Sequence, residues 1–338
     1  MPLITITELK KICRANSPQD AIIHAQIDRL TLKEASNGKP FQELILRDSV
    51  DTMTLRAWAD TPAFAFCGSV KTGEFVSIEG LFSYSPPFGI DARRWEISML
   101  SEASIESLLE GSQERRDLLN SAYSVIVNAL SEINDPRLSE LCRQFLTHHG
   151  SRFRRAAAAR GNHHARRGGL LEHTSRMMLS VLSLCEVYPE INRDLMIAGV
   201  LFHDSGKLWE TCPPEFGFGI EPDLRGELMG HLSIGIELVN MLWRELQRKD
   251  WENLSPPSEH VRLHLIHLIA SHHGQLEFGS PVLPKTPEAA LLHFIDNIDA
   301  RMEMFFSAYQ VGGTIQEWVR PLGVVPVLPL SDSKAVRN

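Results

Sequence analysis

Histidines and aspartates recur through the second half of the chain in an order that suits a metal centre. Each lies in a stretch that is otherwise apolar and helix-like. Imidazole and carboxylate together suit a divalent ion such as Mn²⁺, Fe²⁺, Co²⁺ or Zn²⁺, whereas Mg²⁺ and Ca²⁺ prefer oxygen ligands alone. The predicted metal-ligand series is His173, His203, Asp204, His231, His272, His273 and Asp296.

The adjacent pair His203-Asp204 is the centre of this series. The apolar run 198–202 leads into the pair, and Gly206 follows at a point where a helix can end. A lone histidine among the 14 of this chain is more often a core or surface residue than a ligand. Several ligand types, each on its own apolar helical segment, are much harder to explain as core.

Lys207 stands one turn beyond Asp204. It is predicted to contact a non-bridging oxygen of a phosphate as a point charge, beside the catalytic Asp204. The alternative interpretation is a surface lysine after a helix end.

The segment 152–167 is strongly basic, although the net charge of the chain is −8. It holds six arginines and no acidic residue directly before the His173 segment. Arginine offers phosphate oxygens a planar fork of donors, so the segment is predicted to guide a phosphate-bearing substrate. A solvated basic loop is the alternative. The predicted substrate contacts are His163, His164, Arg166 and Arg167.

Length and composition indicate an ordinary globular protein. A chain of 338 residues with 43% hydrophobic and 22% charged residues can form two domains with real cores. No apolar stretch reaches the roughly 20 residues of a membrane-spanning helix, and the start lacks a signal-peptide pattern, so we expect a cytoplasmic protein without a membrane partner. The five scattered cysteines form no Cys-x-x-Cys pair, which argues against disulfides and thiolate zinc.

The first hundred residues alternate like strands. Five strands are predicted at 21–33, 41–47, 52–59, 74–84 and 90–99, with a small insertion near 61–67. Five short strands in this arrangement predict an OB-type barrel, a common binder of single-stranded nucleic acid. Most of its aromatic residues are expected in the core, with one or two facing a ligand. These aromatic residues are Phe41, Trp58, Phe75, Tyr84, Phe88 and Trp95.

From Ser104 onward the apolar spacing changes to three and four, which predicts helices. Asp135-Pro136 is a predicted helix start. The second half is therefore expected to be all-α, with an irregular tail after residue 320. The predicted helices span 104–133, 136–149, 170–187, 191–204, 228–248, 259–273 and 287–309.

The order His173, His203-Asp204, Asp296 resembles the HD-domain superfamily of metal-dependent phosphohydrolases. Several local strings are also similar to the YhaM-type 3′-to-5′ exoribonucleases, which pair an N-terminal OB domain with an HD domain. The resemblance spans residues 20–320. The strings are NHHA at 162–165, GLLEHT at 169–174, YPEINRD at 188–194, LFHDSGK at 201–207, GHLS at 230–233, SHHG at 271–274 and FIDNIDA at 294–300.

This resemblance implies a multidomain protein, an all-β OB-type barrel followed by an all-α HD helical bundle. The implied divisions are an N-terminal segment 1–19, the OB domain 20–101, linking helices 102–150, the HD domain 151–320 and a tail 321–338. The implied activity is a hydrolase, a manganese-preferring exoribonuclease that removes nucleotides from the 3′ end of single-stranded RNA by metal-activated water. Single-stranded DNA is a second implied substrate.

The resemblance also implies the ligand set, for one or two ions. His173, His203, Asp204 and Asp296 match the HD ligands, and Asp204 bridges if two ions are held. His231 would complete a second site with one of the adjacent pair, for which His272 is slightly preferred and His273 is the alternative. Ser205 replaces the usual aliphatic residue, and 152–160 is more basic than usual.

Two other functions compete with this one. The same centre could serve a nucleotide phosphohydrolase or a cyclic-nucleotide phosphodiesterase, with the barrel in a regulatory role. Alternatively, a non-catalytic protein could bind nucleic acid through the barrel, although no ligand of the HD pattern is missing. The sequence is compatible with a homo-oligomer and does not fix the oligomeric state.

Overall fold

The chain forms two compact units, described in a computed structural model for residues 1–15, 17–85, 89–160, 164–246, 249–309 and 314–330. The sheet unit comprises Met1–Arg116 together with Pro213–Gly219. The helical unit comprises Asp117–Cys212 and Ile220–Asn338. Among the described residues, no helix combines the length and the hydropathy needed to cross a membrane.

The sheet unit is built on one antiparallel sheet of five strands in the order β3-β2-β1-β4-β5. The first half of β1 pairs with β4 and the second half with β2, and a register shift lies between Ile27 and Arg29. The long strand β1 therefore lies at the centre of the sheet, with β2 along one of its edges and β4 along the other. The strands are β1 (Gln19–Glu34), β2 (Pro40–Arg47), β3 (Thr52–Trp58), β4 (Phe75–Ser85) and β5 (Gly89–Met99).

The predicted strands and their order along the chain are confirmed, but the predicted OB barrel is not. Strands β3 and β5 approach each other, yet in the described strands no hydrogen-bonded pairing joins them, so the sheet is not closed. The insertion after β3 is a short helix, α2 (Pro62–Cys67). Buried side chains such as Ile23, Leu44 and Ile78 form the core of this unit.

Two further helices belong to the sheet unit. The helix α1 (Ile6–Arg14) lies in the segment 1–19, for which no element is predicted. Thr5 and Glu8 form a capping box at its start, and Asp48 accepts a hydrogen bond from the Ile6 amide at 2.7 Å. In the helix α3 (Glu102–Glu110), Leu109 packs against Phe75 and Phe218.

The helical unit confirms the predicted all-α second half. Asp135 caps α5 by accepting from the amides of Arg137 and Leu138, with Pro136 in the first turn, as predicted. Two short 3₁₀ turns, Lys249–Trp251 and Leu276–Phe278, complete the unit. The helices are α4 (Gln113–Ser131), α5 (Pro136–Arg155), α6 (Gly169–Val187), α7 (Arg193–Phe202), α8 (Lys207–Glu210), α9 (Leu224–Leu246), α10 (Ser258–Ser271) and α11 (Pro287–Tyr309).

Four of these helices pack around the core of the helical unit. Helix α6 packs on α7 and α11, and α10 packs on α7 and α11. Buried apolar residues such as Met177, Val200 and Leu268 fill the space between them. Such packing leaves few positions for polar side chains, so the polar residues that are buried here require partners.

Candidate metal centre

All seven members of the predicted metal-ligand series lie in one region of the helical unit. His173 is on α6, His203 follows the last residue of α7, and His272 follows the last residue of α10. Asp296 is on α11. The packing of these four helices therefore brings together residues that are up to 123 positions apart (296 − 173).

Three of the residues form an inner cluster, which we define as His173, His203 and Asp296. The Nε2 atom of His173 lies 3.3 Å from Nε2 of His203 and 3.2 Å from Oδ1 of Asp296. The side chains of both histidines are 0% exposed. The inner cluster is thus closed off from solvent at its two imidazoles.

Three histidines form an outer cluster, which we define as His231, His272 and His273. Ring nitrogens of all three lie within 4.8 Å of one another. The Nε2 atoms of His231 and His273 are 3.1 Å apart. His272 is buried, whereas His231 and His273 are partly exposed. Both members of the pair His272-His273 therefore reach the site, and the choice between them stays open.

Asp204 lies between the two clusters. Its Oδ2 is 3.2 Å from Nε2 of His203 and 3.9 Å from Nε2 of His173. Its Oδ1 is 3.6 Å from Nε2 of both His231 and His272. One carboxylate oxygen thus faces each cluster.

The donor atoms fit a divalent ion. Oδ1 of Asp204 is buried and has no hydrogen-bond partner within the described part of the chain. The Nδ1–H groups of His203 and His272 donate to the carbonyls of Val200 and Ile269, at 2.9 and 2.8 Å. Their Nε2 atoms are therefore left as acceptors that face other acceptors. A cation would satisfy these atoms, and a set of imidazole and carboxylate donors suits Mn²⁺, Fe²⁺, Co²⁺ or Zn²⁺.

The electrostatics of the region favour a positive charge. Burial alone would lower the pKa of His173, but Asp296 and Asp299 raise this pKa to about 9. Burial likewise opposes ionisation of Asp204, yet Lys207 and His203 hold its pKa well below the usual range. Burial lowers the pKa of His272, which keeps its imidazole neutral and able to bind a metal.

Two carboxylates outside the predicted series hold histidines of the site. Oδ2 of Asp299 accepts from Nδ1 of His173 at 2.7 Å. Oε2 of Glu210 accepts from both the amide and Nδ1 of His231, at 2.7 and 2.8 Å. A local signal exists for Asp299, which lies one turn after Asp296. None marks Glu210, because only the tertiary fold brings it to His231.

Lys207, the predicted phosphate contact, begins α8 at the edge of the centre. Its Nζ is 2.7 Å from Oδ2 of Asp204, and its side chain is 13% exposed. The ammonium group is thus both paired and accessible. Its position is compatible with the predicted role.

Two predicted substrate contacts are engaged inside the protein. Nε2 of His164 is buried and donates to Asp299 at 2.9 Å. Arg166 binds Glu172 through Nε and Nη2, at 3.1 and 2.7 Å, and Glu303 through Nη1 at 2.7 Å. Both side chains therefore direct donors at carboxylates of the protein. His163 lies outside the described residues, and Arg167 is partly buried.

The rest of the basic segment is dispersed. Arg160 pairs with Glu227, and Arg154 lies over the Tyr123 ring at 4.5 Å. Arg152 lies over the Trp209 ring at 5.4 Å. The arginines thus use separate partners along the helical unit.

Two glycines set the position of the outer cluster. Gly230 has φ 69° and ψ 158°, so it interrupts α9 directly before His231. A Cβ on Gly206 would lie 1.9 Å from the carbonyl oxygen of His231. The turn after Asp204 and the backbone at His231 can approach this closely only because residue 206 has no side chain.

Comparison with known proteins supports the class indicated by this geometry. Residues 170–301 match the family model of the HD domain. The match contains the whole metal-ligand series and supports the HD-domain superfamily for this region, with the metal-dependent phosphohydrolase activity that an HD domain suggests. The finer resemblance to YhaM-type exoribonucleases is not addressed by it.

Similarity to solved structures is weak. Two structures of asparaginyl-tRNA synthetase from Pyrococcus horikoshii, one complexed with asparaginyl-adenylate, are each 18% identical and cover 44% of this chain, with TM-scores of 0.23 and 0.21. A Leishmania major Friedlin protein assigned as an aspartyl-tRNA synthetase has the same identity and coverage of this chain. The chain spans 32% to 36% of these proteins. Scores this low support no conclusion about this chain.

Proposed function

We propose that this protein is a metal-dependent 3′-to-5′ exoribonuclease that hydrolyses single-stranded RNA, with single-stranded DNA as a second substrate. The observation that carries the proposal is Asp204, whose two oxygens face two clusters of metal-binding side chains. His173, His203, Asp204 and Asp296 would hold one ion. Asp204 with the outer cluster would hold a second, and Mn²⁺ is the proposed ion.

Phosphodiester hydrolysis needs a nucleophile at neutral pH and compensation of negative charge in the transition state. A bound divalent ion lowers the pKa of its water and polarises the phosphoryl oxygen. Asp204, His173, His203 and His272 are buried, so water competes little with the charges of the centre. The Lys207 ammonium has three donors, of which one serves Asp204, so the others are available to a non-bridging oxygen.

The strand-rich N-terminal half is the proposed nucleic-acid-binding domain, an OB-type domain at 20–101. Among its aromatic residues, Phe41, Phe75 and Trp95 are buried and Phe88 lies outside the described residues. Trp58 is partly exposed, with the Lys39 ammonium 5.8 Å from its ring centroid. Tyr84 is exposed, with the Arg14 guanidinium 5.9 Å from its ring centroid. An accessible ring beside a cation suits base stacking and phosphate contact together, so Trp58 and Tyr84 are the two candidates.

Directionality is the sharpest test. Purified protein with Mn²⁺ would be incubated with 5′-labelled single-stranded RNA that carries either a free or a blocked 3′ end. We expect a ladder that shortens stepwise from the free 3′ end and a strongly slowed reaction on the blocked strand. Equal degradation of the two strands would contradict exonuclease directionality. The matching DNA strand would measure the preference for RNA.

The same preparation separates the competing functions. Hydrolysis of mononucleotides or cyclic nucleotides without shortening of RNA would identify a different phosphohydrolase. Binding of RNA without any hydrolysis would identify a non-catalytic nucleic-acid-binding protein. Asp204→Ala would be run in parallel, so that a contaminating ribonuclease is recognised by its survival in the variant.

A further inference from the structure

Each of the two clusters contains one histidine that donates to a carboxylate. In the inner cluster, His173 donates from Nδ1 to Asp299 at 2.7 Å, whereas His203 donates to the Val200 carbonyl. In the outer cluster, His231 donates from Nδ1 to Glu210 at 2.8 Å. The outer histidines that donate to neutral carbonyls, of Ile269 and Phe278, are His272 and His273.

A carboxylate behind an imidazole does two things that a carbonyl does less well. It fixes the proton on Nδ1 and the rotation of the ring, so that Nε2 points to the metal position, and it raises the electron density at Nε2. Both effects strengthen metal binding by that one histidine. The five histidines of the two clusters are therefore not equivalent.

We propose that Asp299 and Glu210 are positioning residues with the same task in different clusters. Asp299 acts through His173 on the inner cluster, and Glu210 acts through His231 on the outer cluster. The inference rests on the proposed metal centre and adds that the affinity of each ion is set separately. Each carboxylate is assigned a role through its histidine.

Further contacts support the assignment of Asp299. The same Oδ2 atom also accepts from Nε2 of His164 at 2.9 Å, and Oδ1 lies 3.7 Å from Nη1 of Arg176. One turn later, Glu303 holds Arg176 at 2.9 Å and Arg166 at 2.7 Å. The Asp299 carboxylate is therefore fixed from several sides, which immobilises the ring that it holds.

Glu210 is fixed in a different way. Its single Oε2 atom accepts from the His231 amide as well as from the ring, at 2.7 and 2.8 Å. The carboxylate thus binds the backbone and the side chain of one residue, directly after the kink at Gly230. This contact defines where His231 begins the second part of α9 and where its Nε2 points.

The test is a Co²⁺ titration of the metal-free full-length protein. Calorimetry and the visible absorption of bound Co²⁺ monitor the binding. The variants are Asp299→Asn and Glu210→Gln, which keep the size of each side chain but remove its charge. Each is expected to weaken one of two binding events by about 10-fold. Matched controls are Glu288→Gln on α11, whose carboxylate accepts from the Asn192 amide, and Glu227→Gln on α9, which pairs with Arg160.

A double-mutant cycle then shows through which histidine each carboxylate acts. In a His231→Ala background, Glu210→Gln should have no further effect on the remaining ion, whereas Asp299→Asn should still weaken it about 10-fold. A loss caused only by general destabilisation would be additive in both cases. Glu210 is partly exposed, so Glu210→Gln is expected to fold. If Asp299→Asn does not fold, the Glu210 variant still tests the inference.

The outcomes separate this inference from the proposed function. Wild-type protein that binds no Co²⁺ would overturn the metal centre and the inference together. Wild-type protein that binds Co²⁺ while both variants and their controls titrate identically would overturn only the inference. An equal effect of Glu210→Gln with and without His231 would also reject its assigned route.

Discussion

Both clusters contain imidazole ligands, but their surroundings differ. In the inner cluster both imidazoles are sealed, with His173 and His203 at 0% exposure, whereas the Asp296 carboxylate is 19% exposed; Asp299 lies behind His173. Beyond Asp299 lies a layer of ion pairs formed by Glu303 with Arg166 and Arg176. The outer cluster has an exposed side, since His231 and His273 are partly accessible.

This difference in exposure suggests different tasks for the two clusters, tight binding of an ion in the inner cluster and reaction with substrate at the outer one. The sealed imidazoles of the inner cluster, supported by buried charges, resist both exchange and rearrangement, because no solvent reaches them to replace their partners. A ligand set at an accessible edge can accommodate substrate and release product. We therefore expect the inner cluster to contribute most to stability and the outer cluster to contribute mainly to turnover.

The largest effect is expected where the two clusters meet. Asp204→Ala removes an oxygen from each, so we expect ribonuclease activity to fall by about 10³-fold or more and bound metal to be lost. Elemental analysis and the RNA ladder would measure both. The control is Asp250→Ala, at an exposed position of the helical unit. Full activity in Asp204→Ala would remove the basis of the proposed function.

The stabilities of His173→Ala and His231→Ala test whether enclosure distinguishes the two clusters. The first change leaves the buried Asp299 carboxylate without one of its donors and should cost about 3 kcal/mol of unfolding free energy. The second affects a partly exposed pair and should cost about 1 kcal/mol or less. Urea unfolding of the metal-free proteins would give both values. Equal costs would mean that enclosure does not distinguish the clusters.

Lys207→Met is expected to slow the reaction without emptying the site. The ammonium would no longer reach a phosphate oxygen, so kcat should fall by about 10²-fold while metal content is unchanged. Lys285→Met, at an exposed position of the same unit, serves as the control. A loss of metal equal to the loss of activity would instead place Lys207 among the groups that maintain Asp204.

The smallest effect concerns the ion-pair layer behind the inner cluster. Burial opposes ionisation of Glu303, but His164 and Arg166 lower its pKa from 4.5 to about 2. The ionised carboxylate therefore stabilises the fold above pH 4.5, and this contribution is lost as the pH falls toward 2.

Glu303→Gln removes that dependence. The unfolding free energy of wild-type protein should fall by about 2.5 kcal/mol more than that of the variant between pH 4.5 and pH 2. Urea titrations at several pH values would measure the difference. Parallel curves for the two proteins would show that Glu303 has the same pKa in the folded and unfolded chains.

Much of this organisation is predictable from the sequence because its signals are local. A ligand-type residue at the end of an apolar helical run, as at His203 or His272, can be recognised from the local sequence without knowledge of the fold. The helix start at Asp135-Pro136 and the strand pattern of the first hundred residues are equally local. The capping box of α1, formed by Thr5 and Glu8, is an equally local signal, although no element is predicted for that segment.

The remaining features depend on contacts between distant residues. Arg166 looks like a phosphate ligand in a basic segment, but in the fold it meets Glu303, 137 positions away. Likewise, nothing near Glu210 indicates its contact with His231. Closure of the sheet is a third such property, since it depends on how the outermost strands β3 and β5 meet.

The absent side chain at Gly206 has a consequence for variation of this protein. Because a methyl group there would overlap the His231 carbonyl oxygen at 1.9 Å, every other amino acid must push the two backbones apart. In a saturation library of this position, selection for activity should return glycine alone. The interval between the clusters is thus a property of the main chain, and mutations of the ligands themselves cannot retune it.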